Sequence, residues 1–437
     1  MLTTLKNAFK IKDIRNKLLF TLAMLVVIRL GSQLPVPGVD RTFFASWFAA
    51  QTGDAFSFFD AITGGSFLNM SILALNISPY ITSSIIMQLL TIAIPFLEEM
   101  QKDGEDGRKK IASITRYVTV VLALIQATAM AVGFGNQGLL EDFNALNVIT
   151  CIVALTAGSA FLMWIGERIT EKGVGNGISI VLVINIISSL PQELSLLFEQ
   201  FVFGKAPAMA ILAAVIIIAI IILMVVLVII LNAGVRKIPV QYAKKVQGRK
   251  MVGGQTSNIP LKVNTSGVIP IIFASSIMST PLVICSLVGY QGTGFWGEVL
   301  KGMNSANWCD PDHLIYSLGL VVYILLTVFF AYFYTSITFN PVMIADNMKK
   351  QGGFIPGIRP GKPTSEYLNN VLNRIILIGV IGLIIIQVLP FFFNGVFGAS
   401  VSFGGTSLII VVSVILETMK QIESQMLVRN YKGFLND

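Results

Sequence analysis

Ten apolar runs dominate this chain, at about residues 18–36, 76–95, 114–136, 146–166, 174–190, 207–234, 266–288, 313–338, 371–392 and 404–424. A helix needs about 20 apolar residues to cross a hydrocarbon layer, and backbone polar groups inside that layer must find partners within the protein. The runs therefore predict an all-α, polytopic membrane protein with ten spans. Composition agrees, with 54% hydrophobic and 12% charged residues in a 437-residue chain, far from the balance of soluble domains. The basic N-terminal stretch MLTTLKNAFKIKDIRNK precedes the first run, and no small-residue cleavage pattern follows at the distance a signal peptide needs. The first span is expected to be retained.

Charge orients the spans. With ten crossings, 27 of the 31 lysines and arginines fall on the side that holds both termini. Only Arg41, Lys205 and Lys301 fall opposite, and Arg29 lies within the first run. Positive charge collects on the cytoplasmic side, so both termini are expected there, and anionic lipid would attract that face. Two connections on the same side, 236–264 and 340–370, are much longer than most. They mix glycine, proline and aromatic residues with charge, as in QGRKMVGGQTSNIP and GGFIPGIRPGKP. This pattern reads as a docking surface for a partner. Spans 1–5 and 6–10 run in opposite senses, which allows an inverted repeat, although the letters of the two halves do not display one.

One stretch breaks the apolar pattern. Residues 53–95 read GDAFSFFDAITGGSFLNMSILALNISPYITSSIIMQLLTIAIP, and Phe56 to Ile62 supply two turns of helix before Gly64, Gly65 and Ser66 stop them. Asn69, Ser71, Asn76 and Ser78 follow. Non-helical backbone at membrane depth is tolerated only inside protein or beside water, so this segment is expected to line a cavity. An amphipathic helix on the outer surface is the other reading of residues 56–66. Asn76 or Ser78 is expected to cap the next helix, with Pro79 in its first turn.

Catalytic chemistry is not evident. No HExxH, GxSxG, Walker A or GxGxxG pattern occurs, and Ser66 in GGSF resembles an intramembrane serine nucleophile only loosely. The three cysteines, 151, 285 and 309, and the single His313 offer no metal or disulfide spacing. No cofactor, metal or catalytic residue is expected. Glu167 and Glu417 fall near cytoplasmic ends of spans and Asp60 in the short half-helix, which disfavours proton coupling. The spans instead carry neutral amides, Gln88, Gln126, Asn185, Asn232 and Gln387, best read as helix-to-helix hydrogen bonds. Ile77 with Ile81, and Ile178 with Leu182, stack at i, i+4. Lipid contact is the default reading of such pairs.

Seven motifs, in order, carry a resemblance that covers the whole chain: LPVPGVD (34–40), SPYITSSII (78–86), GERITEKGVGNGIS (166–179), KKVQGRKMVGGQTSNIPLKVN (244–264), GVIPIIFASSI (267–277), FNPVMIADNMKKQGGFIPGIRPGKPTSEYL (339–368) and FGGTSLIIVVSVILE (403–417). On these the chain resembles the SecY/Sec61-alpha family of protein-conducting channel subunits. The resemblance implies two pseudo-symmetric five-helix halves, 1–190 and 207–437, with a short re-entrant plug helix at about 56–66. It implies a passive channel that passes unfolded secretory polypeptides and releases transmembrane segments sideways. An ion-coupled secondary transporter with broken helices is the rival class.

The same resemblance assigns residues. The pore ring would be Ile77, Ile81, Ile178, Leu182, Ile272 and Ile410, with leucine at 182 where isoleucine is common. Phe56, Phe58, Phe59, Asp60, Ile62, Gly64 and Gly65 would belong to the plug. Thr82, Gln88, Ser275, Ser276 and Thr280 would line the lateral gate. Arg236, Lys244, Lys245, Arg249, Lys250, Lys349, Lys350 and Arg359 would dock a motor or a ribosome. The implied partners are the small membrane subunits SecE and SecG, the motor ATPase SecA, the ribosome, signal sequences with their nascent chains, and the lipids of the bacterial cytoplasmic membrane.

Overall fold

A computed structural model describes residues 2–40, 63–135, 138, 140, 142–203, 207–242, 245–247, 250–252, 256–288, 294–309, 311, 313–397 and 405–433. The plug candidates Phe56, Phe58, Phe59, Asp60 and Ile62, and the docking candidates Lys244 and Arg249, lie outside these residues. The fold is mostly helical. Among the described residues six helices are long and apolar enough to span, or seven if the bent pair Ser78–Ala93 and Pro95–Gln101 counts as one. Helices also form within the runs at 18–36, 266–288 and 404–424, as Lys12–Gly31, Ile269–Val288 and Gly405–Gly433, outside that count. Charge explains the first case, because Lys12, Asp13, Arg15, Lys17 and Arg29 all fall within its helix.

The chain divides into two compact units. The first comprises Met1–Leu196, Leu282–Glu298 and Val414–Asp437, and the second Leu197–Pro281 and Val299–Ser413. The first contains α1 (Leu2–Lys10), α2 (Lys12–Gly31), α3 (Ser78–Ala93), α4 (Pro95–Lys102), α5 (Glu105–Phe134), α6 (Ala145–Lys172) and most of α7 (Gly177–Phe201). Helices α3, α5 and α6 pack in sequence, and Ser83 Oγ of α3 donates to the Thr115 carbonyl of α5 at 2.8 Å. The core of this unit joins Val36, Met70 and Ala74 to Ala127, Ala131, Cys151 and Leu155. Residues 67–75 of the broken stretch therefore supply core. Helix α3 ends where Ile94 turns extended and Pro95 starts α4, a bend of 105°.

The second unit takes the end of α7, then α8 (Pro207–Ala233), β1 (Val235–Tyr242), β2 (Lys245–Gln247), β3 (Lys250–Val252), β4 (Thr256–Lys262) and α9 (Ile269–Val288) as far as Pro281. From Val299, within α10 (Phe295–Met303), it continues through α11 (Leu318–Thr338), α12 (Pro341–Lys350), β5 (Gly353–Phe354) and α13 (Lys362–Phe397) to Ser413 of α14 (Gly405–Gly433). The five strands correct the all-α expectation. Strand β1 pairs antiparallel with β4, in a register from Val235↔Lys262 to Gln241↔Thr256, and with β5 at Gln241↔Phe354. The two connections expected to be separate loops are thus joined in one sheet. Its buried face carries Ile238, Val240, Leu261 and Ile355 against Leu368, Val371 and Ile375 of α13.

Candidate functional site: a broken span, a gate and a docking sheet

The broken stretch is held turn by turn. Gly64 and Gly65 lie at φ +65° and +79°, in the left-handed region where a side chain is strained. A Cβ on Gly64 would sit 2.6 Å from the Asn185 carbonyl oxygen of α7. Arg29 Nη1 donates to the Gly64 carbonyl at 3.3 Å. Beyond it, the Val36 N–H donates to the Met70 carbonyl at 3.0 Å and the Ile72 N–H to Leu34 at 2.9 Å. Ser71, fully buried, donates through Oγ to the Ser66 carbonyl at 3.1 Å. Small hydroxyls and main-chain pairs thus satisfy backbone that no helix satisfies.

Asn76 does not cap α3, contrary to expectation. The cap position is Ile77, which makes no side-chain bond there, while Pro79 does lie in the first turn. The reason is tertiary. Asn76 sits at φ +52°, its Oδ1 accepts from Asn185 Nδ2 at 3.1 Å, and its carbonyl accepts from Ser159 Oγ at 3.1 Å. The break is thereby fastened to α6 and α7. Gly158 lets α6 approach, since a Cβ there would lie 2.0 Å from the Ile72 carbonyl oxygen.

Four pore-ring candidates belong to the first unit. Ile77 and Leu182 are buried, and Ile81 and Ile178 are partly buried. The motif GERITEKGVGNGIS positions the α7 pair. A Cβ on Gly177 would lie 1.9 Å from the Gly166 carbonyl oxygen, and one on Gly166 would lie 3.0 Å from Ile178 Cγ1. Asn176 Oδ1 caps α7 by accepting from the Ile178 N–H at 3.1 Å. Glycine at the α6–α7 crossing thus fixes where Ile178 and Leu182 stand. Ile272 on α9, partly buried, and Ile410 on α14, buried, belong to the second unit.

The gate candidates satisfy themselves locally. Thr82 Oγ1 donates to the Ser78 carbonyl at 3.1 Å, Ser275 Oγ to Ile272 at 3.0 Å, and Thr280 Oγ1 to Ser276 at 2.6 Å. Each bond stays within its own helix, the usual back-bonding of such residues. Gln88 and Ser276 are exposed. Three of the neutral amides do bond between elements. Besides Asn185, Gln387 Nε2 donates to the Tyr323 hydroxyl at 2.5 Å, and Asn232 Nδ2 to Ser413 Oγ at 2.8 Å.

The docking candidates stand around the sheet. Arg236 is exposed on β1, and Lys349 and Lys350 are exposed at the C-terminus of α12, where positive charge complements the helix dipole. Asn340 Oδ1 caps the other end of α12. Lys245 and Lys250 fall in the β2–β3 ribbon. Exposed Arg359 lies between Gly357 and Gly361, at φ +84° and +104°, and its carbonyl accepts from Thr364 Oγ1 at 2.8 Å. The backbone is pinned while the guanidinium faces solvent. Sequence reasoning missed the sheet and the partners of Asn76 and Asn232; the alternation Ile238-x-Val240 in β1 was the available signal.

Comparisons with known proteins bear on the family and the fold. The family model SecY matches residues 71–419. A protein translocase subunit SecY of Streptomyces galbus is 44% identical, with all of both chains aligned. Among solved structures, a SecY channel studied for the role of its plug domain in stabilising the closed state aligns at TM-score 0.62 and 18% identity, over 94% of this chain and 92% of that one. Sec61 in a canine ribosome–channel complex aligns at TM-score 0.61 and 16% identity, with the same coverage.

Proposed function

We propose that this chain, which belongs to the SecY family, is the channel subunit through which unfolded secretory polypeptides cross a membrane and from which transmembrane segments leave sideways. The observation that carries this reading is full-length similarity, at 44% identity, to a protein named as a translocase subunit. No relative named in the comparisons supports the transporter reading, and the channel reading requires no catalytic residue.

In this reading ten spans cross the bacterial cytoplasmic membrane, with both termini in the cytoplasm. Ile77, Ile81, Ile178, Leu182, Ile272 and Ile410 close the path as flexible aliphatics. Such a ring widens around a chain of any sequence, and when narrow it stays dewetted and excludes hydrated ions. The segment ending at Gly64 and Gly65 is the plug. Thr82, Gln88, Ser275, Ser276 and Thr280 line a seam open to lipid and to signal sequences. SecE and SecG accompany the chain, and SecA or a ribosome docks on the sheet and the Arg359 turn. Two facts support the docking assignment: the two long connections form one sheet, and Arg236, Lys349, Lys350 and Arg359 all expose their charge.

Reconstitution into liposomes tests the function. The chain with its small subunits should carry an unfolded precursor into the lumen when SecA and ATP are supplied. Solute uptake driven by an ion gradient, without precursor translocation, would overturn it. Arg359→Glu tests the docking surface. Its side chain is exposed, so the variant should insert and melt normally while export falls by about tenfold or more, the scale on which a docking charge acts. Normal export would remove Arg359 from the docking surface.

A further inference from the structure

The root of the docking sheet is tied to the helix that carries Ile410. Strands β1 and β4 stay paired down to Val235↔Lys262, and the Val263 N–H then donates to the Gly234 carbonyl at 2.9 Å. The ladder therefore continues to the end of α8 as one stiff stem. Helix α13 closes on it, since a Cβ on Gly379 would lie 2.4 Å from the Val263 carbonyl oxygen. Immediately beside the stem, Asn264 Nδ2 donates to Asn232 Oδ1 at 3.0 Å, and Asn232 Nδ2 donates to Ser413 Oγ at 2.8 Å. Ser413 lies three residues from Ile410 on α14, on the same face.

We infer that Asn264, Asn232 and Ser413 form a hydrogen-bonded relay that moves α14, and with it Ile410, when a docked partner displaces the sheet. The three are positioning residues, touching no substrate. The inference rests on the channel reading above and deepens it. Two features favour a relay over a simple fastener. Both amides flank the stem within two residues of the Gly234–Val263 hydrogen bond, so movement at the root of the sheet bears directly on them. Further, Asn264 is 7% exposed and its Oδ1 has no hydrogen-bond partner. A buried acceptor left unmet makes this arrangement less favourable than one that meets it.

The test uses the full chain with its small subunits in a planar bilayer, and ribosomes bearing a stalled nascent chain with a signal sequence as the docking probe. Ser413→Ala and Asn232→Leu should each reduce the conductance opened by docking by about fivefold or more, a coupling of ordinary allosteric size. Ribosome affinity should stay at the parent value. The double variant should lose no more than the worse single one, and Ser413→Thr, which keeps the hydroxyl, should restore opening. Ser413→Ala removes one oxygen from a partly buried position, so it stands even if Asn232→Leu fails to fold. Parent-like opening in Ser413→Ala would overturn the relay, as would a loss that tracks the fall in melting temperature and persists in Ser413→Thr. A parent channel that binds ribosomes and never opens would overturn the channel reading itself, and the relay with it.

Discussion

Each unit has a long excursion between two helices, from α2 to α3 in the first and from α8 to α9 in the second. The two start alike. Leu34 and Val36 bond main chain to main chain with Ile72 and Met70, and Gly234 with Val263, so each excursion leaves and returns through an antiparallel stem. Each stem also rests on a helix glycine, Ile72 on Gly158 and Val263 on Gly379. Each is fastened by amides, Asn76 with Asn185 and Asn264 with Asn232. They then diverge. Among the described residues, 63–77 carry no charge and much of their length is buried, whereas the segment 236–262 carries seven lysines and arginines and its described residues are strands. The same kind of stem thus stands beside a buried, uncharged segment at 63–77 and at the root of a charged sheet at 236–262.

Moving a charge across that divide should produce the largest effect. Ser71→Lys places an ammonium at a fully buried position whose hydroxyl is already bonded to Ser66. An uncompensated buried charge costs about 3–5 kcal/mol, so the variant should fail to accumulate as folded protein. Ser257→Lys, on an exposed position of β4 opposite Val240, should stay within about 0.5 kcal/mol of the parent. Yields and melting curves in detergent measure both. Equal tolerance at the two positions would erase the distinction between buried and displayed excursion.

The glycines come next. Gly158→Ala and Gly379→Ala put a methyl 2.0 Å and 2.4 Å from a main-chain oxygen, an overpacking worth about 1–3 kcal/mol each. Gly357→Ala, at φ +84° with no neighbour within 4 Å of its Cβ, should lose only about 1 kcal/mol from backbone conformation. If Gly379→Ala melts like the parent while Gly158→Ala does not, the two stems are not built alike.

The amide fasteners are weaker. Hydrogen bonds between membrane helices average about 0.6 kcal/mol and reach about 1.7. Asn185→Leu should fall within that range, because it removes the bond to Asn76 Oδ1. A melting shift indistinguishable from zero would mean that main-chain pairs alone hold the break.

What the sequence disclosed follows from range. Hydropathy is a property of consecutive residues, so the long spans are readable, and Gly64 and Gly65 announce the break because left-handed backbone excludes most side chains. The glycines of 166–179 are readable as a motif, but their purpose is a crossing of α6 and α7 that only the fold displays. The sheet is hidden because its buried alternation is two residues of β1, Ile238 and Val240, set among cations that read as a solvated loop. The expected cap on α3 fails for the same reason. Asn76 has the right chemistry for a cap, and a residue 109 positions away claims it instead.

The smallest effect belongs to the hydroxyls of Thr82 and Thr280, proposed above for a gate, and it separates two ways of building such a seam. If small polar residues hold facing helices together, removing one should release a bond between helices. Thr82 and Thr280 donate to Ser78 and Ser276, four residues back in their own helices, and valine keeps their shape while discarding the hydroxyl. A back-bond of this kind contributes little and slightly bends its helix. Thr82→Val and Thr280→Val should therefore each change stability by less than about 0.5 kcal/mol, below Asn185→Leu. Idle conductance should match the parent as well. A seam held by close packing alone separates without breaking a hydrogen bond, which suits reversible opening toward lipid. Should either valine variant lower the melting temperature as far as Asn185→Leu does, its hydroxyl makes a bond between helices and the seam is fastened as the excursions are.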